Sequence, residues 1–571
     1  MTKRLCKTLI LLIISSLPIL CEAQPNLKIP VGHFRSPIDF PILLSANFGE
    51  LRTNHFHAGL DFKTMGVIGK NIYAIDSGYV SRIKISPWGY GYALYVTHYN
   101  GYTSVYGHLD SFSPKIEKFT KMVQNQKKSF DVDIYPGKTQ LVVRKGEVIG
   151  KSGNTGSYGG PHLHFEIRET ESEIAVNPML FGFDIKDNIK PVIKRLYVYN
   201  FPKNEKYKYN CSTNSFKTAG RNGKYTINKT IETGNYIAFG IETADYLNGS
   251  HNVCGIYEIK LFVNDTMIYY FKLDKVDFFE SRYINSHIDY KEKIKNRTKI
   301  HKLYKDANNR LSNYVFIKND GFLSVPDNME RKIKIEVSDT YGNLSELNFT
   351  IQKEKETDNI CAKQNCYSVF VPMKINTIKD SNLSITIPKG ALYDTICFQY
   401  HKEDGHNDVS FMLHNPETPL HYPVKIEYKL DDSLKTKRGL LFIRKYKNRK
   451  FALESQIEDN VIIAETDKFG YFYITQDTLP PSVRNYSFGA DSTRLKNKTI
   501  RFRITDNLSG ISKYNAYIDN KWLLMNFDGK TAKLSAYIDK ESLLEKKYHH
   551  FLLIVEDAVG NKTRFETNFS L

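Results

Sequence analysis

The chain has 571 residues, 25% of them charged and 41% hydrophobic, with 38 Tyr and 34 Phe against only 2 Trp. Those proportions exclude a chain too poor in apolar residues to bury a core, lean toward strands, and at this length imply about three to four domains. The net charge of +18 would suit a polyanionic envelope polymer or nucleic acid, but Lys and Asn are spread throughout and no nucleic-acid motif accompanies them; solvated basic faces are the preferred reading, and no nucleic-acid partner is expected.

Lys3, Arg4 and Lys7 precede an apolar run at residues 9–20, broken only by Ser15, Ser16 and Pro18. This reads as a secretory signal peptide over residues 1–23, cut after Ala23, because the run is too short to cross a bilayer. Cys21 offers a lipid anchor, but Pro18, Ile19 and Leu20 stand where a small residue is usual, which disfavours lipidation. No later stretch is long and apolar enough for a transmembrane segment, so the mature chain is expected to be periplasmic or envelope-associated, or secreted. Cys211, Cys254, Cys361, Cys366 and Cys397 remain after cleavage, without zinc-finger spacing, and Cys361 with Cys366 is the closest pair for a local disulfide.

Residues 42–168 are rich in Gly and in short alternating runs such as 71–80 and 92–98, the pattern of a compact antiparallel β domain. Residues 112–143 interrupt it with Lys115, Lys118, Lys121, Lys127 and Lys128, which reads as an inserted surface loop or short helical excursion. Beyond Pro178 a repeat appears: Asp187, Asp245, Gly255 and the run ending at Asn343 lie against Asp477, Asp506, Gly510 and the run ending at Asn561. Alternating strands closed by an Asp-x-x-Gly-Asn turn suggest immunoglobulin-like β-sandwiches at 186–353 and 478–571, with a β module of uncertain type at 360–477 and a charged linker at 353–359. The fold class expected is therefore all-β: a first domain over 24–185, then β-sandwich modules.

Three motifs carry chemistry: His57-Ala-Gly-Leu-Asp61, Tyr106-Gly-His108-Leu109, and the Gly-rich run from Gly153 that closes on His162-Leu-His164-Phe-Glu166. In a strand, residues two apart share a face, so His162, His164 and Glu166 project together while Leu163 and Phe165 face the core. His57 and Asp61, four apart, share a face whether the segment is helical or extended, and Gly59 and Phe62 favour the extended reading. A catalytic zinc needs about three imidazole or carboxylate ligands and one open position for water, and these motifs supply them.

Together the motifs resemble the LytM and lysostaphin type of zinc endopeptidase over residues 42–180. The resemblance implies that His57, Asp61 and His164 bind one zinc ion, that His162 and His108 are catalytic, and that a small antiparallel fold carries a groove floored by the main sheet. It also implies a substrate class, the peptide cross-links of peptidoglycan, while leaving the bond open: a D-alanyl-diaminopimelate link, a glycine bridge or another. In that reading His162 takes the proton as zinc-bound water attacks the scissile carbonyl, and His108 supplies an N–H to the oxyanion, although these two roles could be exchanged. Glu166 is a candidate partner for a ligating histidine. His55 could serve as an alternative ligand, although a substrate-groove or surface role is preferred; His98 reads as structural, Arg52 as an ion-pairing or substrate-anchoring residue, and Tyr106 and Tyr158 as cleft-lining or as ordinary aromatic packing. The competing readings are a non-catalytic envelope regulator, and a scaffold or adhesion protein whose β modules hold an envelope partner; the intact five-residue set argues against both.

Overall fold

The computed structural model describes residues 28–157, 159–202, 211–326, 329–353, 365–403, 409–488, 495, 499–538 and 548–570. The signal peptide expected at 1–23, most of the expected linker, Tyr158 and Cys361 lie outside the described residues. The architecture is all-β, with nearly every strand pair antiparallel.

The first module is built on strands β1 (Leu44–Ala46), β2 (Leu60–Lys63), β3 (Asn71–Tyr73), β4 (Gly78–Ile85), β5 (Tyr92–His98) and β6 (Tyr102–Phe112), then helix α1 (Pro114–Lys127), and strands β7 (Val132–Ile134), β8 (Val142–Val143), β9 (Val148–Ser152), β10 (His162–Glu169) and β11 (Ala175–Val176). Its main sheet runs β1-β2-β10-β6-β5-β4-β7. At its centre β10 obeys the expected alternation: Leu163, Phe165 and Ile167 are fully buried in the core, and His162, His164 and Glu166 take the opposite face. Full burial of each such apolar side chain stabilises by about 1.5–3 kcal/mol, and the period of two then fixes where the polar set must point.

The insertion at 112–143 is partly helical, as one of its two expected readings had it. Pro114 sits in the first turn of α1 and Lys128, in the left-handed conformation at the C-cap, ends the helix. The chain then returns to the sheet: Ile134 pairs with Ile83, and Asp133 takes two hydrogen bonds from Arg82 at 2.7 and 2.6 Å. The insertion therefore widens the sheet edge.

Residues 192–353 form a five-stranded and an eight-stranded sheet. They share a continuous core with the first module, and Ala175 and Val176 of β11 pair with Val276 and Lys275. Residues 368–476 enclose a second core around Phe398, Phe411 and Phe442, and two four-stranded sheets at 482–569 enclose a third. This last pair of sheets touches the first module, where Gly529 leaves no room for a Cβ against Trp88 and Lys530 hydrogen-bonds Asn154.

The disulfide expectation needs correction. Cys366 bonds Cys397, 31 residues on, because the pairing of Ser368–Phe370 with Ile396–Phe398 brings them together. Cys211 is also disulfide-bonded, and Cys254 is a buried free thiol.

Candidate metal centre

The site forms where β2, β10 and β6 lie side by side. His164 stands directly opposite Asp61 on one flank and Gly107 on the other. Asp61 belongs to β2, and His57 lies on the segment leading into it, so the extended reading of the motif holds. Gly59 between them is obligatory for packing, since a Cβ there would sit 2.3 Å from the Phe165 carbonyl oxygen.

One donor atom from each of His57, Asp61 and His164 converges. His57 Nε2 is 3.1 Å from Asp61 Oδ1 and 3.1 Å from His164 Nδ1, and His164 Nδ1 is 2.9 Å from Asp61 Oδ1. Two imidazole nitrogens facing each other across that distance need a shared proton or a cation between them. Tetrahedral zinc with ligands at about 2.0–2.1 Å sets its donors roughly 3.3 Å apart, so both the donor types and their spacing fit that ion.

The outer nitrogens are held as well. His57 Nδ1 donates to the Asn47 carbonyl at 2.7 Å, and His164 Nε2 donates to Glu166 Oε1 at 2.8 Å. Glu166, fully buried, also accepts from Tyr90 and, through Oε2, from Arg168 Nε at 2.7 Å. Tyr90 stacks its ring on His164 with centroids 4.9 Å apart. Burial alone would raise Asp61, but His57 and His164 hold its carboxyl well below the usual range. Burial likewise would lower His164, yet Asp61 and Glu166 raise it to about 9, a sign of the surplus negative charge that a divalent ion answers. Glu166 thus takes the position expected of a partner to a ligating histidine. Glu166→Gln should weaken zinc affinity about 10- to 100-fold, read by competition with a chromophoric chelator; unchanged affinity would remove Glu166 from the site's design.

His108 and His162 face the triad from the other side, with ring centroids 4.7 Å apart. His162 Nε2 lies 3.8 Å from Asp61 Oδ1, and its Nδ1 donates to the Gly160 carbonyl at 2.9 Å. His108 Nδ1 donates to the Thr155 carbonyl, also at 2.9 Å. Burial depresses both rings, His108 to about 3 with help from His164 and His162, so both are neutral near neutral pH. His108 has φ of 58°; the register with β5 shifts across it, and the register with β9 shifts just beyond it, between Leu109 and Ser111. That left-handed residue is a bulge which turns an imidazole toward the site, a conformation tolerated when its surroundings impose it.

Other expectations fare unevenly. His98 is structural, buried between Ser77 O and Ser104 Oγ, and burial pushes it down to about 4. His55 is exposed and bonds Thr53 O within its own loop, so it is no alternative ligand. Arg52 pairs with Glu50 at 2.9 Å and reaches Asp61 Oδ2 at 3.4 Å, the ion-pairing reading. Tyr106 does not line a cleft; it is fully buried and its hydroxyl accepts from the Ile75 amide at 3.1 Å and the Ser104 hydroxyl at 3.0 Å. Asn47 and Tyr90 were missed, since neither carries a spacing signal, although Tyr90 stands in the turn-rich run Gly89-Tyr90-Gly91.

Comparison with known proteins finds matches over this module. Residues 55–127 and 132–178 match the model of peptidase family M23. The first module is a LytM and lysostaphin type domain. It is 33% identical over 118 residues to DD-carboxypeptidase/endopeptidase Mpg of Neisseria meningitidis, covering 21% of this chain and 21% of that protein. It is 30% identical over 171 residues to peptidoglycan DD-endopeptidase ShyA of Vibrio cholerae, covering 28% of this chain and 34% of that one. The chain thus spans about a fifth to a third of these curated relatives. The catalytic domain of lysostaphin from Staphylococcus simulans is 26% identical over 23% of this chain and 86% of that one, with a TM-score of 0.18, a likeness too local to bear on the other modules. Residues 367–477 match a Zu5-like domain model, where the sequence alone pointed to a β module of uncertain type.

Proposed function

We propose that this protein is an exported zinc endopeptidase that hydrolyses peptide cross-links of bacterial peptidoglycan. The observation that carries the reading is the convergence of His57, Asp61 and His164 beside two further imidazoles, each anchored through Nδ1 to a backbone carbonyl. The peptidoglycan DD-endopeptidases among its relatives supply the substrate class.

In this reading His57 Nε2, Asp61 Oδ1 and His164 Nδ1 hold one zinc ion. When bound, zinc supplies Lewis acidity, polarising the scissile carbonyl and making nearby water a better acid. His162, neutral and with Nδ1–H committed to Gly160, takes a proton through Nε2 from the attacking water and passes it to the leaving amine. His108, neutral and with Nδ1–H committed to Thr155, presents Nε2 as an acceptor, which suits holding the attacking water rather than donating to the oxyanion. The Thr155 and Gly160 carbonyls, on the segment that precedes β10, position both rings.

Residues 1–23 would direct export, and among the described residues no helix is long and apolar enough to cross a membrane. The two repeat modules are taken as immunoglobulin-like sandwiches which, with the module between them, reach a protein partner in the envelope. Cross-linked muropeptides incubated with purified mature protein should fall to monomers, stop doing so with a chelator, and resume on adding zinc. Product masses identify the bond. Protein that carries zinc and cuts no muropeptide would overturn the proposal.

A further inference from the structure

The repeat of residues 187–343 and 477–561 extends to hydrogen bonds. In the first copy Asn343 donates from its amide to Asp339 Oδ1 (2.9 Å) and from Nδ2 to Asp339 Oδ2 (2.6 Å) and to Asp187 O (3.4 Å). In the second, Asn561 makes the same three bonds to Asp557 and Asp477, at 2.8, 2.8 and 3.2 Å. Each copy gathers three carboxylates: Asp187, Asp245 and Asp339, then Asp477, Asp506 and Asp557, with one oxygen of each within 4.8 Å of the others.

The copies differ in what faces those oxygens. In the second, the tight turn after Asp506 aims amides inward. Leu508 and Gly510 donate to Asp506 Oδ2 at 2.9 and 2.8 Å, and Ser509 donates to Asp477 Oδ2 at 3.0 Å, leaving only Asp506 Oδ1 buried without a donor. In the first, a longer excursion separates Asp245 from Gly255, and Asp245 instead forms a backbone bridge with Cys254. The amides of the tight turn are lost. Asp245 is only 1% exposed, yet neither of its carboxylate oxygens makes a well-formed hydrogen bond, and Asp187 Oδ2 makes none either. Among the described residues no Lys, Arg or His forms an ion pair with Asp187, Asp245 or Asp339. Burial, reinforced by Asp187 and Asp339 and opposed slightly by the Tyr246 amide, pushes Asp245 up to about 8. A buried carboxylate stays ionised only when a donor or a cation answers it.

We propose that Asp187, Asp245 and Asp339 form a calcium site that ties the first repeat module to the segment leaving the peptidase module. Oxygens on one calcium, at about 2.3–2.6 Å from it, can lie up to roughly 5 Å apart, which matches the cluster. All three donors are hard carboxylates, and the nearby Cys254 thiol is pushed up to about 12 by burial, so it stays neutral and does not recruit a softer metal. Asp187 lies on the connection, Asp245 just past the strand Tyr236–Ala244, and Asp339 just past the strand Arg331–Ser338. One ion there joins three chain segments. It also sits close to the zinc module: Gly255, beside Cys254, exchanges two hydrogen bonds with the Asn47 side chain (2.8 and 2.7 Å), and the Asn47 carbonyl holds His57.

The test uses full-length mature protein stripped on a chelating resin and reloaded with one equivalent of zinc. Terbium is titrated with tyrosine excitation, since Tyr341 donates its amide to Asp339 and lies against the cluster. The expected result is one sensitised terbium per chain, displaced by calcium, and a calcium-dependent rise in Tm. Asp245→Asn should abolish both, as should Asp187→Asn at the more exposed position, which covers a folding failure of the first variant. Asp506→Asn and the zinc-site variant His164→Ala should retain them, so failure here is separate from failure of the peptidase reading. Absence of calcium-displaced terbium emission from the wild type, or its survival in Asp245→Asn and Asp187→Asn, would overturn the proposal, as would its loss in Asp506→Asn alone.

Discussion

His164→Ala and His162→Ala are both expected to silence muropeptide hydrolysis, but only the first should lose zinc. His164 contributes Nδ1 to the triad, and its other nitrogen is the contact to Glu166. Removing it deletes one of three donors, so metal content should fall well below one ion per chain. The carbonyl polarisation that goes with the ion is worth several kcal/mol, and each 1.36 kcal/mol is tenfold, so the rate should drop about 10³-fold or more. Glu166 keeps Arg168 and Asp61 keeps Arg52, so the remaining carboxylates retain counter-charges and the fold should survive, as a thermal melt can verify.

His162→Ala leaves His57, Asp61 and His164 in place and should retain full zinc. Its loss should appear in kcat, about 10²–10⁴-fold, the usual contribution of a positioned general base. Parallel falls in kcat and kcat/KM would identify an interaction made in the transition state; a rise in KM alone would make His162 a binding residue. Wild-type speed in either variant would end the catalytic assignment.

The contrast between these histidines shows what a sequence discloses. His162, His164 and Glu166 are legible because a strand repeats every two residues, and Leu163 and Phe165 confirm the period by their burial. The pairing of His164 with Asp61, 103 residues apart, is a tertiary register that no local pattern encodes; there the resemblance of motifs did the work. Tyr106 and His108 also stand two apart, and simple alternation would put both in the cleft. The positive φ at His108 breaks that alternation, so one ring reaches the site and the other fills the core. Asn47 escaped notice because it acts through its backbone carbonyl, which is the same for every residue type. The Cys366 to Cys397 bond was hidden for a related reason, since proximity along the chain is a poor guide when strand pairing decides proximity in space.

Phe165→Ala should be the most damaging single change to the fold near the site. The ring is fully buried and lies between His164 and its hydrogen-bond partner Glu166 on the same strand. It packs edge-on to Phe62 at 5.8 Å and to Phe183 at 5.9 Å, and tilted against Tyr106 at 5.5 Å. Phe62 belongs to β2 and Tyr106 to β6, so one side chain keys both neighbours of β10 in register. Truncation removes the transfer energy and leaves a cavity that two sheet strands cannot collapse to fill, a cost of about 3–5 kcal/mol. For a cooperative unit of this size, that lowers Tm by roughly 6–20 °C, measured by calorimetry on zinc-loaded protein. Because Asp61 and His164 reach the metal from the two strands that this ring holds together, zinc affinity should fall along with stability, although no ligand has been touched. Phe165→Leu, which refills most of the volume, should recover the larger part of both. A Phe165→Ala protein that melts within a degree of wild type and holds zinc as tightly would show that the ligand geometry is set by the strand hydrogen bonds alone.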